Sequence, residues 1–347
     1  MHAKVDFVHD ALEGQFNVDL REAYLDYSTK RFDFRLGRQI ATWGVGDLLF
    51  INDLFPKDWV AFFADRPLEY LKIGVDGFRT RYSSPMVNVD VILIPVFTPD
   101  TVPTTPRFVL EDAFSFASGI DPELPEHTYG NTEVGLRLYR RIRDVDVSVY
   151  AYRGFWRTPS ATLDESFDGE WTVSTRHPAL SVYGMSVQRN AIGGVVSLEA
   201  GHYRSRDDVE GRDPFTPNSQ ARFLLGYQKQ LWQDATVGGQ YYAEIMADHA
   251  TYVTTLPAGF PVQERYSDIV SLRVEQRLKH QTWELTLVAF YGRANAEYLA
   301  QPQVAYTLSD RLSVAVGANV VGGDRPWTPF ARLARNDNVY ASLRFDF

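Results

Sequence analysis

The last ten residues alternate without a break. Val339, Ala341, Leu343, Phe345 and Phe347 fall on one parity, and Tyr340, Ser342, Arg344 and Asp346 on the other. A period of two means an extended strand with one apolar and one polar face. A run of about ten residues is what a tilted strand needs to cross a bilayer. The same pattern recurs along the chain. Trp283, Leu285, Leu287, Ala289 and Tyr291 oppose Glu284 and Thr286, and Ala221, Phe223, Leu225 and Tyr227 oppose Arg222 and Gln228. Val87, Val89, Val91 and Leu93 oppose Asn88 and Asp90.

Helical membrane spans do not compete with this reading. The most apolar segment, Val45 to Phe63, is broken by Asp47, Asn52, Asp53, Pro56, Lys57 and Asp58. No run reaches the 18 or so apolar residues that a spanning helix requires. Met1 to Asp6 lacks an apolar core, so no secretion leader is expected there. The chain has no cysteine, which excludes disulfides, thiolate metal sites and a Cys nucleophile. A net charge of −9 argues against nucleic acid as a partner.

The alternation predicts strands over 3–12, 17–28, 32–43, 70–82, 87–97, 131–141, 145–155, 179–189, 194–204, 219–230, 235–247, 265–279, 282–293, 298–308, 311–321 and 338–347. Their connections alternate between short turns and long loops, with 294–297 as an exception. This predicts one domain over 1–347: an all-β transmembrane barrel, antiparallel and up-and-down, of about 16 strands, with short periplasmic turns and long extracellular loops. Both termini then lie on the periplasmic side. Tyr27, Phe32, Trp232, Trp283 and Phe347 fall near that rim, where an aromatic girdle is expected. Leu343, Phe345 and Phe347 look like the terminal signal read by the barrel-assembly machinery. Outer-membrane lipids are the other expected partner.

Parity sends Glu22, Arg35, Asp90, Glu133, Arg137, Glu199, Arg222, Glu244, Arg273, Glu275 and Arg344 to the lumen, as it does Lys72 and Asp76, and a bulge would add Arg38. Mixed signs suit a solvated wall. Arg38 needs help, because Phe32, Phe34 and Leu36 set an outward parity that would carry it into lipid. An Arg at the bilayer midplane costs roughly 2–4 kcal/mol. A second phase slip, between Leu20 and Ala23, lies at the same height. Paired bulges, one of them at Gly37, would turn Arg38 inward to meet Glu22.

Two loops, Asp47 to Phe63 and Pro106 to Phe116, are too apolar to extend into water. They are expected either to fold into the lumen or to pack as an extracellular cap. Pro302 inside a strand removes a ladder donor, predicting a bulge or else a lateral opening. Asp248-His249 in a loop is the one pair that would suit a hydrolase at the barrel rim. No phosphate loop, dinucleotide fingerprint or metal-ligand spacing occurs, so no enzyme activity and no cofactor are expected.

Several segments carry a narrower resemblance. Glu22-Ala23-Tyr24-Leu25-Asp26, Gly37-Arg38-Gln39 followed by Trp43-Gly44 and Asp47, and Ile94-Pro95-Val96-Phe97-Thr98-Pro99-Asp100 with Pro103 are three. Glu133-Val134-Gly135-Leu136-Arg137-Leu138 and Tyr183-Gly184-Met185-Ser186 are two more. Together they resemble an uncharacterised family of outer-membrane barrels encoded in many Gram-negative bacteria beside RND-type permeases. The resemblance implies a channel for export or uptake of a small or lipid-like molecule, with a periplasmic or inner-membrane transport partner. The alternative is a scaffold barrel that houses a lipid-transfer or electron-transfer protein.

Overall fold

The computed structural model describes residues 1–12, 14–110, 122–165 and 171–346. Sixteen strands form one antiparallel sheet whose order follows the chain. They are β1 (His2–Asp10), β2 (Gln15–Ser28), β3 (Phe32–Gln39), β4 (Val75–Tyr82), β5 (Asn88–Ile94), β6 (Glu133–Ile142) and β7 (Val145–Phe155), then β10 (Ala179–Ala191) to β18 (Asn338–Phe345). A separate two-stranded sheet, β8 (Ser160–Glu165) and β9 (Trp171–Arg176), lies in the connection between β7 and β10. The remaining wall strands are β11 (Gly194–Ser205), β12 (Gln220–Trp232), β13 (Ala235–Met246), β14 (Tyr266–Leu278), β15 (Trp283–Gly292), β16 (Glu297–Ser309) and β17 (Leu312–Gly323).

Each wall strand pairs with its neighbours in sequence, the up-and-down arrangement of a barrel. One rim carries tight turns. At the β10–β11 turn both Ile192 (φ 57) and Gly193 (φ 72) are left-handed, as a two-residue type I′ turn requires. On the outer face Leu25 and Leu36 are more than half exposed, as a lipid-facing belt should be. Near the short-turn rim Trp283 packs on Tyr306 (centroids 4.7 Å apart) and Phe32 on Tyr82 (4.8 Å). Tyr27 and Trp232 are exposed there, while Phe347 lies outside the described residues.

The long-loop rim sends chain back into the barrel. Residues 40–74, between β3 and β4, cross the lumen. They include the short helix α1 (Trp59–Phe63), which Asp58 caps by accepting from the Ala61 N–H, and a 3-10 turn at Leu68–Leu71. The buried core is the contact between this segment and the inner wall. Leu48, Leu49, Ile51, Leu54 and Phe62 pack against Tyr152, Leu180, Val182, Tyr203, Leu224, Tyr242 and Phe290. Of the two placements open to this loop, it takes the lumen. The second apolar loop is described as far as Leu110. Phe108 joins the same core, and Val109 exchanges bonds with Asn336. Phe114 and Phe116 lie outside the described residues.

Two local expectations are corrected. The extra residue of β2 is Arg21, where the β1–β2 register slips between Lys4–Glu22 and Val5–Leu20. In β3 no residue is added: Gly37 takes φ +122 yet pairs in register with both Tyr24 and Gly77. A side chain at Gly37 would collide with the Ala23 carbonyl oxygen, which is why glycine stands there. Arg38 therefore keeps the outward parity of Leu36. Its partner is not Glu22 but Asp76, held by two bonds of 2.6 and 3.0 Å, and Asp76 shares the outward parity of Phe78. At Pro302 the β16–β17 ladder skips two residues and resumes in the same register, from Ala300–Val320 to Gln303–Gly317. It makes neither a bulge nor an opening.

Candidate functional site

The far wall grips the crossing segment through one carboxylate. Glu199 on β11 accepts three backbone N–H groups, from Val45 (2.9 Å), Gly46 (3.1 Å) and Asn52 (2.6 Å). Gly44 is left-handed (φ +79), and a side chain there would meet the Glu199 carboxylate at 2.6 Å. The loop can wrap the charge only because that position is glycine. Asn52 then bonds sideways to the Met185 and Ala200 carbonyls, and the Tyr203 hydroxyl donates to the Ile51 carbonyl. Further along the wall, Arg273 on β14 holds Asp47 at 3.1 Å, and Gln301 on β16 donates to the Phe62 carbonyl.

The near end is anchored as well. Trp43 packs on Phe55 and Tyr150 and donates its indole N–H to Asp90, which Arg79 also holds. Arg21 reaches the Glu69 and Lys72 carbonyls from β2. Lys4 on β1 pairs with Glu69 at 2.7 Å and holds that carboxyl below its usual range, with help from Arg344 on β18. Glu69 thus ties the crossing segment to the first strand of the sheet.

Several charges of the segment are buried. Asp53 sits between Lys57 (3.2 Å) and Lys72 (3.0 Å). Burial pushes the Lys57 ammonium down, against the pull of Asp53. Asp65, following α1 with φ 52, is raised to about 6 by burial, and its Oδ2 has no bonding partner among the described residues. Burial also raises Asp100, whose carboxylate accepts from the Lys57 N–H and the Trp59 indole.

This segment divides the lumen. On the long-loop side lies a cavity of about 430 Å³. Its floor is Leu48, Leu49, Phe50, Phe62 and Phe63, and its walls include Tyr203, Phe290, Phe330 and Leu333. It opens into a mouth of about 460 Å³ through a ring of residues common to both: Trp156, Thr158, Arg222, Trp327 and Arg332. On the short-turn side lies a polar vestibule of about 340 Å³, lined by Asp47, Gln188, Ser197, Gln228, Gln240, Arg273 and Glu275 among others.

Of the expected lumen residues, Arg222 and Glu244 line the cavity or its mouth and Arg273 and Glu275 the vestibule, while others make their bonds elsewhere. Arg222 pairs with Glu244 at 3.0 Å where the cavity meets the mouth. Glu133 is fully buried, bonded to Arg157 (3.0 Å) and the Tyr152 hydroxyl. Arg35 takes both oxygens of Asp26 and lies over Tyr24. Glu22 accepts from the Ile40 N–H where the segment begins, and Arg137 bonds Ser148 below it. Arg344 pairs with Asp346 at the short-turn rim. Leu343 and Phe345 are exposed on the outer face. His249 bonds the Gln263 carbonyl at 2.8 Å rather than Asp248.

Sequence reasoning missed the inward apolar positions Leu180, Leu224, Tyr242, Phe290 and Val321. The signal was present as failure of alternation: Phe223-Leu224-Leu225, Tyr241-Tyr242 and Phe290-Tyr291 are apolar on both parities. A wall strand reads so where one face meets lipid and the other meets packed protein.

No protein-family model matches the chain, and none of the curated proteins matches it. Among solved structures, it is similar to a loop-deletion mutant of OmpT, an outer membrane protein of Vibrio cholerae, with 10% identity, covering 99% of this chain and 84% of that one (TM-score 0.44). It is similar also to a mutant of Rh. blastica porin, with 13% identity, covering 96% of this chain and 90% of that one (TM-score 0.42).

Proposed function

We propose that this chain is a channel of the Gram-negative outer membrane whose own segment 40–74 is its gate, and that it moves a small or lipid-like molecule through the lumen. The carrying observation is the division of the lumen: an apolar cavity above the segment, a polar vestibule below it, and the Glu199 carboxylate holding the segment across the path. An open diffusion pore has no use for an apolar floor, which would strip water from passing ions. The resemblance to barrels encoded beside RND-type permeases supports the same role and supplies a partner class.

The test is to tether the gate. The chain has no cysteine, so Asp47→Cys with Arg273→Cys gives one reactive pair, joined by a short bis-maleimide. In planar bilayers the untethered double variant should show transient openings that vanish on cross-linking. Openings that persist at the same rate in fully cross-linked protein would refute the gate.

A further inference from the structure

We infer that the cavity above the gate takes an uncharged, largely apolar ligand and rejects an anion or cation of the same shape. This deepens the channel reading and rests on it, since the cavity is taken to lie on the path of the transported molecule.

The charges at the cavity wall set what the cavity can accept. Five charged side chains line it: Asp53, Asp100, Arg157, Arg222 and Arg332. Asp53 is held by two lysines, Lys57 and Lys72. Asp100 accepts from the Lys57 backbone N–H (2.8 Å) and the Trp59 indole N–H (3.0 Å). Arg157 is held by Glu133, the Leu54 and Thr98 carbonyls and the Tyr152 hydroxyl. Arg222 pairs with Glu244 and stacks on Tyr203, 3.9 Å from the ring centroid. Arg332 too has an interaction within the protein.

Four of the five wall charges, Asp53, Asp100, Arg157 and Arg222, are therefore already held by named partners within the protein. A charged ligand would lose its hydration and could take a countercharge from these four only by breaking a pair already made, leaving another buried charge unmatched. An apolar ligand meets Leu49, Phe62, Phe63, Phe290 and Phe330 and disturbs nothing. About 430 Å³ lies in the size class of sites for drug-sized molecules.

Two dyes that share one ring skeleton isolate the charge. The neutral one is N-phenyl-1-naphthylamine, and its anionic counterpart is 8-anilinonaphthalene-1-sulfonate. Binding to full-length protein in lipid nanodiscs is read by energy transfer from tryptophan, with empty nanodiscs subtracted. Trp59, Trp156 and Trp327 line the cavity and act as local donors. The neutral dye should saturate and bind at least about tenfold more tightly than the sulfonate, since one unmatched buried charge costs that much or more. Trp327→Phe should reduce transfer from the bound neutral dye without abolishing binding.

Equal or tighter binding of the sulfonate would overturn the inference. So would neutral-dye uptake no greater than in empty nanodiscs, or transfer unaffected by both Trp327→Phe and Trp156→Phe. The gate reading fails separately: cross-linked protein that still conducts would sink the gate whatever the dyes do.

Discussion

The backbone N–H of Asn52 meets the Glu199 carboxylate at 2.6 Å, joining the middle of the crossing segment to the strand it must leave for the lumen to open. Val45 and Gly46 point their N–H groups at the same carboxylate. Bonds to a charged acceptor each contribute about 1.5–3 kcal/mol. Glu199→Gln keeps an acceptor but removes the charge, so the closed state should lose about 2 kcal/mol. Open probability in planar bilayers should then rise roughly thirtyfold. Glu199→Ala should rise further, and Glu199→Asp should lie between wild type and Gln.

Trp43 anchors the near end of the gate, and Gly135 on β6 makes room for it. A side chain at Gly135 would sit 2.7 Å from the Trp43 ring. Trp43→Ala should therefore destabilise the folded barrel by about 3–5 kcal/mol, the range for a buried large-to-small aromatic change. Gly135→Ala should cost about 1–3 kcal/mol by overpacking. Urea unfolding in vesicles, followed by tryptophan fluorescence, checks both.

Asp65 gives the gate a pH dependence. Its carboxyl is raised to about 6 by burial, above the ordinary 3.8, so the folded state holds the proton more tightly than the unfolded chain does. The penalty is then present at neutral pH and is relieved as pH falls through about 6 toward 4. Wild-type openings should be more frequent at pH 7.5 than at pH 5. Asp65→Asn should flatten that part of the profile at the low-pH level, and an unchanged profile in Asp65→Asn would reject the assignment.

The Arg38–Asp76 pair stands on the outward parity, where an unmatched Arg costs roughly 2–4 kcal/mol at the bilayer midplane. Asp76→Asn should destabilise the barrel by a sizeable part of that figure. Replacing both residues with Leu should recover most of the loss, since neither charge then faces lipid unpaired. Comparing the three proteins by unfolding in vesicles separates the ion pair from the side chains alone.

The wall was legible because alternation is local. Each run of about ten residues states its own parity, and the slip in β2 was readable from Leu20 and Ala23, with Arg21 as the extra residue. The misreading of Arg38 came from assuming that a glycine in phase trouble must add a residue. Gly37 instead adopts a left-handed φ and keeps the register. The gate was legible as too apolar for water, but its destination was not. Glu199 reads in sequence as one more lumen charge, and its partners Val45 and Asn52 lie about 150 residues away in the chain. Doubly apolar stretches such as Phe223-Leu224-Leu225 were the clue that the lumen is filled there.

The most direct test removes the gate. Residues 45–72 are replaced by a short Gly/Ser linker, and single-channel conductance is compared with wild type after heat-modifiability shows both to be folded. The gate-less protein should give large, stable, ohmic steps, while wild type should be closed for most of the record. Wild type conducting as freely as the deletion, or a folded and inserted deletion that stays silent, would contradict a lumen closed by segment 40–74.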